Sequence, residues 1–299
     1  MIPNPNDLAT KHQHLQTLLK EMERVLIAFS GGVDSTLLLK VAKDVLGNAV
    51  LAVTALSETT PRHERLDADR LARELAAEHL LVHTRELQLM EFVKNPENKC
   101  YICKKDRFGG LVELARKKGY RFVLDGGNLD DHSDYRPGIK ATKELGVRSP
   151  LAEAGFSKQD IRTLSQQLDL DTWNKPSYAC LASRIPYHSP ITAEKLKQID
   201  AGEEFLRELG LSGQVRVRHH DEIARLEIEA KDLPQFIQPA LRNKVIEHFK
   251  GLGFTYITLD LEGYNMGSLN RVVAAAMKGS HDGQQRSEIS VKASARRPN

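Results

Sequence analysis

The chain has 299 residues, long enough for two domains that each bury a core. With 40% apolar and 28% charged residues it has the make-up of an ordinary folded globular protein, and a net charge of +3 is too small to argue for a nucleic-acid partner. Three cysteines are an odd number, and in a reducing compartment they point to metal binding or catalysis rather than disulfides.

No stretch approaches the apolar length of a bilayer span, so no membrane partner is expected. The opening residues MIPNPNDLATKHQH lack the charged-then-apolar layout of a signal peptide, so the protein is expected in the cytoplasm. Residues 8–22 read as an amphipathic helix with Leu15, Leu18 and Leu19 on one face. Val25–Phe29 then suits a short buried strand, and Thr36–Leu46 a helix. Between them lies Ser30-Gly31-Gly32-Val33-Asp34-Ser35-Thr36. A tight strand-to-helix turn of this kind exposes backbone N–H groups at the positive end of a helix, where phosphate binds. The Gly-Lys-Ser/Thr ending of the common phosphate loop is missing, and Asp34 stands there instead. A carboxylate beside phosphates suggests a pyrophosphate bridged by Mg²⁺. Two glycines alone would also fit a plain turn; the whole run is far more specific. The candidate pyrophosphate contacts are Ala28, Ser30, Gly31, Gly32, Asp34 and Ser35, joined by Gly126 further on.

Ala49–Ala55 forms a second buried strand, broken by Ser57–Pro61. A helix with Ala68, Leu71, Ala72, Leu75 and Ala76 on its inner stripe precedes a third strand, Leu80–His83. This alternation predicts an α/β fold with a doubly wound parallel sheet, whose ligands bind beyond the carboxyl ends of the strands. In Asn98–Lys105, Cys100 and Cys103 are spaced to share one metal or cluster, although a redox pair or a structural half-site would look the same. A helix from about Asp106 to Lys118 leads to a fourth strand, Phe122–Leu124. Its end, Asp125–Asp131, is either a solvated turn or part of the ligand edge. Tyr135-Arg136-Pro137-Gly138 reads as a loop whose arginine reaches a phosphate or the surface. Ser157 caps a helix that runs to Leu168. Trp173–Tyr187 then breaks the periodicity and holds Cys180 and Arg184. Pro186 and Pro190 mark a domain boundary, giving domains at 1–186 and 187–278 and a disordered tail at 279–299.

The second part reads as a small α+β domain. A long helix, Ala193–Leu209, precedes a strand at Val215–Arg218 and its antiparallel partner at Ala224–Ile228. A helix at about Leu233–Phe249 and a strand at Tyr256–Leu259 complete it. Arg216 and Arg218 fall on one face of the strand, as a cationic row for a phosphate or simply as its wet side.

Taken in order, SGGVDST, CYICKK, DGGNLDD with YRPG and GVRSPL, KPSYACLASRIPY and VRVRHH resemble the LarE-type ATP-dependent sulfur transferases. Those are N-type ATP pyrophosphatases that help build the nickel-pincer nucleotide cofactor. The resemblance spans roughly residues 20–270, and KPSYACLASRIPY is its most specific block. It implies that ATP adenylates the carboxylates of a pyridinium-3,5-dicarboxylate mononucleotide and that sulfur then replaces AMP. It also implies the sulfur source. In one branch the cysteine matching Cys180 gives up its own sulfur and becomes dehydroalanine. In the other, cysteines matching Cys100, Cys103 and Cys180 hold a [4Fe-4S] cluster whose open iron carries the sulfide. All three cysteines stand here, so the cluster branch is expected. Arg184 is expected to steady an acyl or phosphate oxygen, Arg216 and Arg218 to bind the substrate phosphate, and Asp34 to bind Mg²⁺. The family further implies a homo-oligomer, a sulfide donor and a downstream nickel-insertion protein. One departure is Asn265, where the family pattern leads us to expect an arginine after the tyrosine.

Two other readings compete. A tRNA thiolase should be strongly basic or carry an RNA-binding domain, and an ammonia-using amidotransferase has no need of cysteines at its active edge. A nucleotide sensor without catalysis would have no reason to keep Asp34 beside three cysteines.

Overall fold

The computed structural model describes residues 7–133, 137–176, 179–211 and 213–265. The expected tail and the residues after Asn265 lie outside this set, as do Tyr135 and Arg136 of the expected loop. By its packing the chain divides into two compact units, residues 1–205 and 206–299.

The first unit opens with α1 (Leu8–Met22), β1 (Val25–Ala28), α2 (Val33–Leu46), β2 (Val50–Leu56), α3 (Arg62–Glu74) and β3 (Glu78–His83). A single turn, α4 (Met90–Val93), leads to α5 (Lys99–Lys118) and β4 (Phe122–Leu124). Next come α6 (Pro137–Glu144), the one-turn α7 (Pro150–Glu153), α8 (Lys158–Gln167) and α9 (Ala193–Glu208). The sheet order is β3-β2-β1-β4, and every pairing is parallel. The expected doubly wound sheet is therefore present.

The apolar runs of the two central strands have a direct cause. Val25, Ile27, Val50 and Ala52 pack with α1, α2 and α8 on one face. Leu26, Leu51 and Val53 pack with α5 on the other. Both faces are covered, so residues of both parities must be apolar. β3 pairs with β2 alone and is half-exposed, as an edge strand should be. The chain winds outward from β1 to β3 and returns on the other side of β1 as β4. The order of strands therefore reverses between β1 and β4, at whose carboxyl ends a crevice opens.

Helix α8 begins as expected, with Ser157 accepting from the Asp160 N–H in a reciprocal capping box. Helix α5 begins seven residues earlier than its apolar periodicity suggests, at Lys99 rather than Asp106, so both Cys100 and Cys103 are helical. Helix α2 likewise starts at Val33, with Gly32 as its N-cap. The division between the units falls inside α9, beyond the prolines that marked it in sequence. The reason is that Leu196, Ile199 and Glu203 on its first turns are buried.

The second unit has β5 (Arg216–His220), β6 (Ile223–Glu227) and β7 (Tyr256–Leu259) in the order β5-β6-β7. β5 and β6 are antiparallel; β7 runs parallel to β6. The helix expected between β6 and β7 is split at Pro239 into α10 (Leu233–Phe236) and α11 (Pro239–Gly251). No helix among the described residues is long and apolar enough to cross a membrane.

Ile27 is fully buried on the central strand. Ile27→Ala should lower unfolding stability by about 2–5 kcal/mol in urea titration with an unchanged slope, since the strand cannot collapse into the space left.

Candidate active site

The loop after β1 is held by its own hydroxyls. Ser35 Oγ lies 3.1 Å from Ser30 Oγ and accepts from the Ser30 N–H at 3.3 Å. The Gly32 N–H donates to Ser30 Oγ at 3.3 Å. Gly31 sits at φ +68°, and a Cβ there would lie 3.0 Å from the Ala68 Cα of α3. Gly126, at the end of β4, presses against the same loop: a Cβ would meet the Ser35 nitrogen at 3.0 Å and the Asp34 Cβ at 3.1 Å. A cavity of about 250 Å³ opens here, lined by Ala28, Ser30, Asp34, Ser35, Gly126 and Asn128 among others. Five of the expected nucleotide contacts thus gather at one crevice, while Gly32 lines a neighbouring cavity and Gly31 lines neither.

Two lysines that sequence reasoning passed over complete this corner. Lys158 Nζ lies 2.5 Å from Asp34 Oδ2, while Asn128 Nδ2 donates to Asp34 Oδ1 at 3.3 Å. Lys175 Nζ donates to the Gly31 carbonyl at 3.0 Å and to Asp67 at 2.8 Å. Burial disfavours the charged form of Asp67, yet the hydrogen bond and charge of Lys175 hold its carboxyl below the usual range. Both lysines line a second cavity, of about 140 Å³, against Ser30, Gly32 and Asp34. They bring to this loop the positive charge that a Walker lysine brings elsewhere. A magnesium ion on nucleotide phosphates usually takes one or two carboxylates, and Asp34 fits that donor set.

The cysteines come together from two segments. Cys100 and Cys103 lie one turn apart on α5. Cys180 is exposed in a loop where the Leu181 N–H donates to the Thr59 carbonyl at 2.9 Å. Burial pushes the Cys100 thiol up, the charge of Cys180 adds to this, and Lys99 and Lys104 oppose it. Cys103 is pushed up to about 12 by burial first, with Cys180, Glu86 and Cys100 adding and Arg107 opposing. Its Sγ–H donates to Glu86 at 3.9 Å. Glu86 is fully buried and accepts from Arg107 Nε at 3.0 Å and Nη2 at 2.6 Å. Among the described residues, no three of His, Cys, Asp and Glu converge tightly enough for a single metal ion. The charge of Cys180 opposes ionisation of both Cys100 and Cys103, so the three side chains are near enough to act together, and an all-thiol donor set is of the type that would hold an iron–sulfur cluster.

The segment carrying Cys180 is pinned by buried polar side chains. Asn95, itself buried at φ 56°, donates from Nδ2 to the carbonyls of Ile185, Pro186 and Ser189. Lys99 Nζ donates to Asn95 Oδ1 at 2.7 Å and to the Ala182 carbonyl at 3.0 Å. Arg184 is fully buried and paired with Glu203 at 2.8 and 3.0 Å. Its Nη1 donates to the carbonyls of Ala179 and Cys180 at 2.5 and 3.0 Å. Arg184 thus acts on the Cys180 backbone; its donors are spent inside the protein rather than on the acyl or phosphate oxygen expected from sequence.

A third cavity, of about 460 Å³, joins the two halves of the chemistry: Ala28 and Ser30 line it together with Thr59, Lys104, Arg107 and Cys180. In the second unit Arg216 and Arg218 are buried rather than on a wet face. Arg218 forms a two-pronged pair with Glu227 at 2.8 and 2.9 Å, and Arg216 lies over the Tyr264 ring at 5.0 Å.

Gly126→Ala should abolish pyrophosphate release from ATP while the fold, read by circular dichroism, persists, because its methyl would push into the Ser35 nitrogen. Glu203→Ala should cost about 3–5 kcal/mol in denaturant titration, since it strands a buried guanidinium. In the metal-free protein at pH 8, alkylation mapped by peptide mass should be far slower at Cys103 than at Cys180. Burial keeps Cys103 as the unreactive thiol, with its ionisation raised to about 12.

Residues 14–127 match the asparagine synthase family. The chain is 47% identical over 266 residues to an uncharacterised protein of Synechocystis sp., covering 89% of this chain and 99% of that one. It is 41% identical over 270 residues to the pyridinium-3,5-bisthiocarboxylic acid mononucleotide synthase of Lactiplantibacillus plantarum, covering 90% of this chain and 97% of that enzyme. With the glutamine-hydrolysing GMP synthase of Aeropyrum pernix it shares 28% identity over 235 residues, 71% of this chain but 45% of that enzyme. A match that runs nearly end to end in both chains settles the family: this protein is a LarE-type ATP-dependent sulfur transferase built on a PP-loop ATP pyrophosphatase domain.

Proposed function

We propose that this protein adenylates the carboxylates of pyridinium-3,5-biscarboxylic acid mononucleotide with ATP and converts them to thiocarboxylates. The observation that carries this reading is the cavity lined by both Ser30 of the pyrophosphate loop and Cys180. A carboxylate held there lies within reach of a bound nucleotide on one side and of sulfur on the other.

In the first step a carboxylate oxygen attacks the α-phosphorus of ATP, the bond to the bridging oxygen breaks, and pyrophosphate leaves as an acyl adenylate forms. The backbone N–H groups at Ser30–Ser35 and the ammonium groups of Lys158 and Lys175 receive the departing charge. Asp34 would hold Mg²⁺, which supplies further charge to offset pyrophosphate, and Lys158 is then released from Asp34 toward the phosphates. In the second step a sulfur nucleophile adds to the acyl carbon and AMP leaves with the carbon–oxygen electron pair. Cys100, Cys103 and Cys180 would hold a [4Fe-4S] cluster, whose fourth iron, free of protein thiolate, would supply the sulfide. Arg184 and Lys99 position the Cys180 segment through its carbonyls. Arg216 and Arg218 of the second unit are proposed for the substrate phosphate. A homo-oligomer, a sulfide donor and a downstream nickel-insertion protein are further expectations from the family resemblance, and the 187–278 domain is the candidate for substrate binding and assembly.

One observation favours a second route for sulfur. Of the three cysteines, Cys180 is the one that lines the cavity with Ser30. In that route the Cys180 thiolate displaces AMP to give a thioester. A base then removes the Cys180 α-proton, the Cβ–S bond breaks, and the thiocarboxylate departs and leaves dehydroalanine.

Mass spectrometry of the intact protein after turnover with ATP and the dicarboxylate nucleotide decides between them. The cluster route predicts product, released AMP and pyrophosphate, and an unchanged polypeptide mass. It also predicts about four irons per chain after anaerobic reconstitution. Loss of one hydrogen sulfide at Cys180 per product would establish the sacrificial route instead. If neither AMP nor pyrophosphate is released, the adenylation reading is wrong.

A further inference from the structure

The cavity that joins Ser30 to Cys180 carries two cations on its wall, Lys104 and Arg107, and one acid, Glu64. Lys104 also lines the smaller cavity beside Asp34, Ser35 and Gly126, so it belongs to the phosphate end. Arg107 lies one turn further along α5 and lines the thiol-bearing cavity but not the smaller one.

Its orientation is built in. The fully buried Glu86 accepts from Arg107 Nε and Nη2 at 3.0 and 2.6 Å, and the carboxylate is steadied by Thr84 Oγ1 at 2.9 and 3.0 Å. Nη2 also reaches Ser57 Oγ at 3.4 Å. Burial works against the Glu86 anion, but the charge and hydrogen bonds of Arg107 outweigh it and hold this carboxyl below its usual range. Among the described residues Nη1 has no hydrogen-bond partner, while the side chain as a whole is 24% exposed. A fixed guanidinium therefore offers uncommitted N–H groups at the wall of the cavity.

The substrate of the proposed reaction has two carboxylates on one ring. While one is adenylated at the loop, the other is carried into the same cavity, where an unpaired carboxylate would be costly to desolvate. Lys104 borders the cavity beside Asp34 and Ser35 as well as the thiol-bearing one, whereas Arg107 borders the thiol-bearing one and not the other, so Arg107 is the cation assigned to the second group. We propose that Arg107, oriented by Glu86, holds the non-reacting carboxylate and so makes the site selective for a ring dicarboxylate over a monocarboxylate. The assignment rests on the adenylation reading above. It applies equally to a second round, when the group held is an anionic thiocarboxylate.

The test compares pyrophosphate release by the full-length protein with the 3,5-dicarboxylate nucleotide and with its 3-monocarboxylate counterpart. The wild type should favour the dicarboxylate. Arg107→Ala should lower kcat/KM for the dicarboxylate about a hundredfold, mostly through KM, and leave the monocarboxylate and the KM for ATP nearly unchanged. Glu86→Gln, which keeps the Arg107 charge but loosens its direction, should fall between. If Arg107→Ala does not fold, Arg107→Lys serves: lysine lacks the fork needed for two partners, so the preference should drop about tenfold. A preference that stays at the wild-type ratio in a folded variant, or rates for both nucleotides and the KM for ATP that worsen together, would overturn the assignment alone. Absence of pyrophosphate release by the wild type with either nucleotide would overturn the adenylation reading and this assignment with it.

Discussion

The contact between Gly126 and the loop after β1 governs the rest of the site. Parallel strands β1 and β4 are neighbours, so their outgoing loops emerge side by side. Only a residue with no side chain allows the two backbones to approach to the observed 3.0 Å between a notional Cβ and the Ser35 nitrogen. That closeness directs the Ser30–Ser35 turn and Asp34 toward one crevice, and α2, capped at Gly32, adds the positive end of its dipole. Phosphate chemistry is therefore built into the backbone before any side chain contributes.

The cysteine side of the site depends on buried polar groups in place of apolar packing. Asn95 and Lys99 hold carbonyls between Ala182 and Ser189, and the Arg184–Glu203 pair holds those of Ala179 and Cys180. Such a network is favourable only when each member is satisfied, so it specifies one path for the loop and penalises alternatives. The Glu86–Arg107 pair obeys the same logic on the facing helix, where it lies against Cys103. Thiols raised by burial and by one another are poorly suited to free nucleophilic attack at Cys100 and Cys103.

The PP-loop domain is shared with enzymes whose names describe other products, among them the asparagine synthase family and a GMP synthase. Such domains have in common the means to split ATP, and the product made depends on the nucleophile offered to the activated carbon. In this chain a cavity that Ser30 of the loop lines is also lined by Cys180 and Arg107.

Local sequence determined much of this architecture. The alternating apolar runs dictated strands buried on both faces, the glycine pair with Ser30 and Asp34 dictated a phosphate turn, and Ser157 with Asp160 dictated where α8 begins. The ordered set of motifs carried the family as well. Tertiary structure alone decided which distant residues meet: Lys158 with Asp34, Lys175 with the Gly31 carbonyl, Glu86 with Arg107. Charged residues carry no periodic signal that separates a solvated side chain from a buried pair. The burial of Arg184, Arg216 and Arg218 against internal partners was therefore not legible in the sequence. Desolvation is decided by what folds over a residue, and that is settled by chain topology, not by its neighbours in sequence.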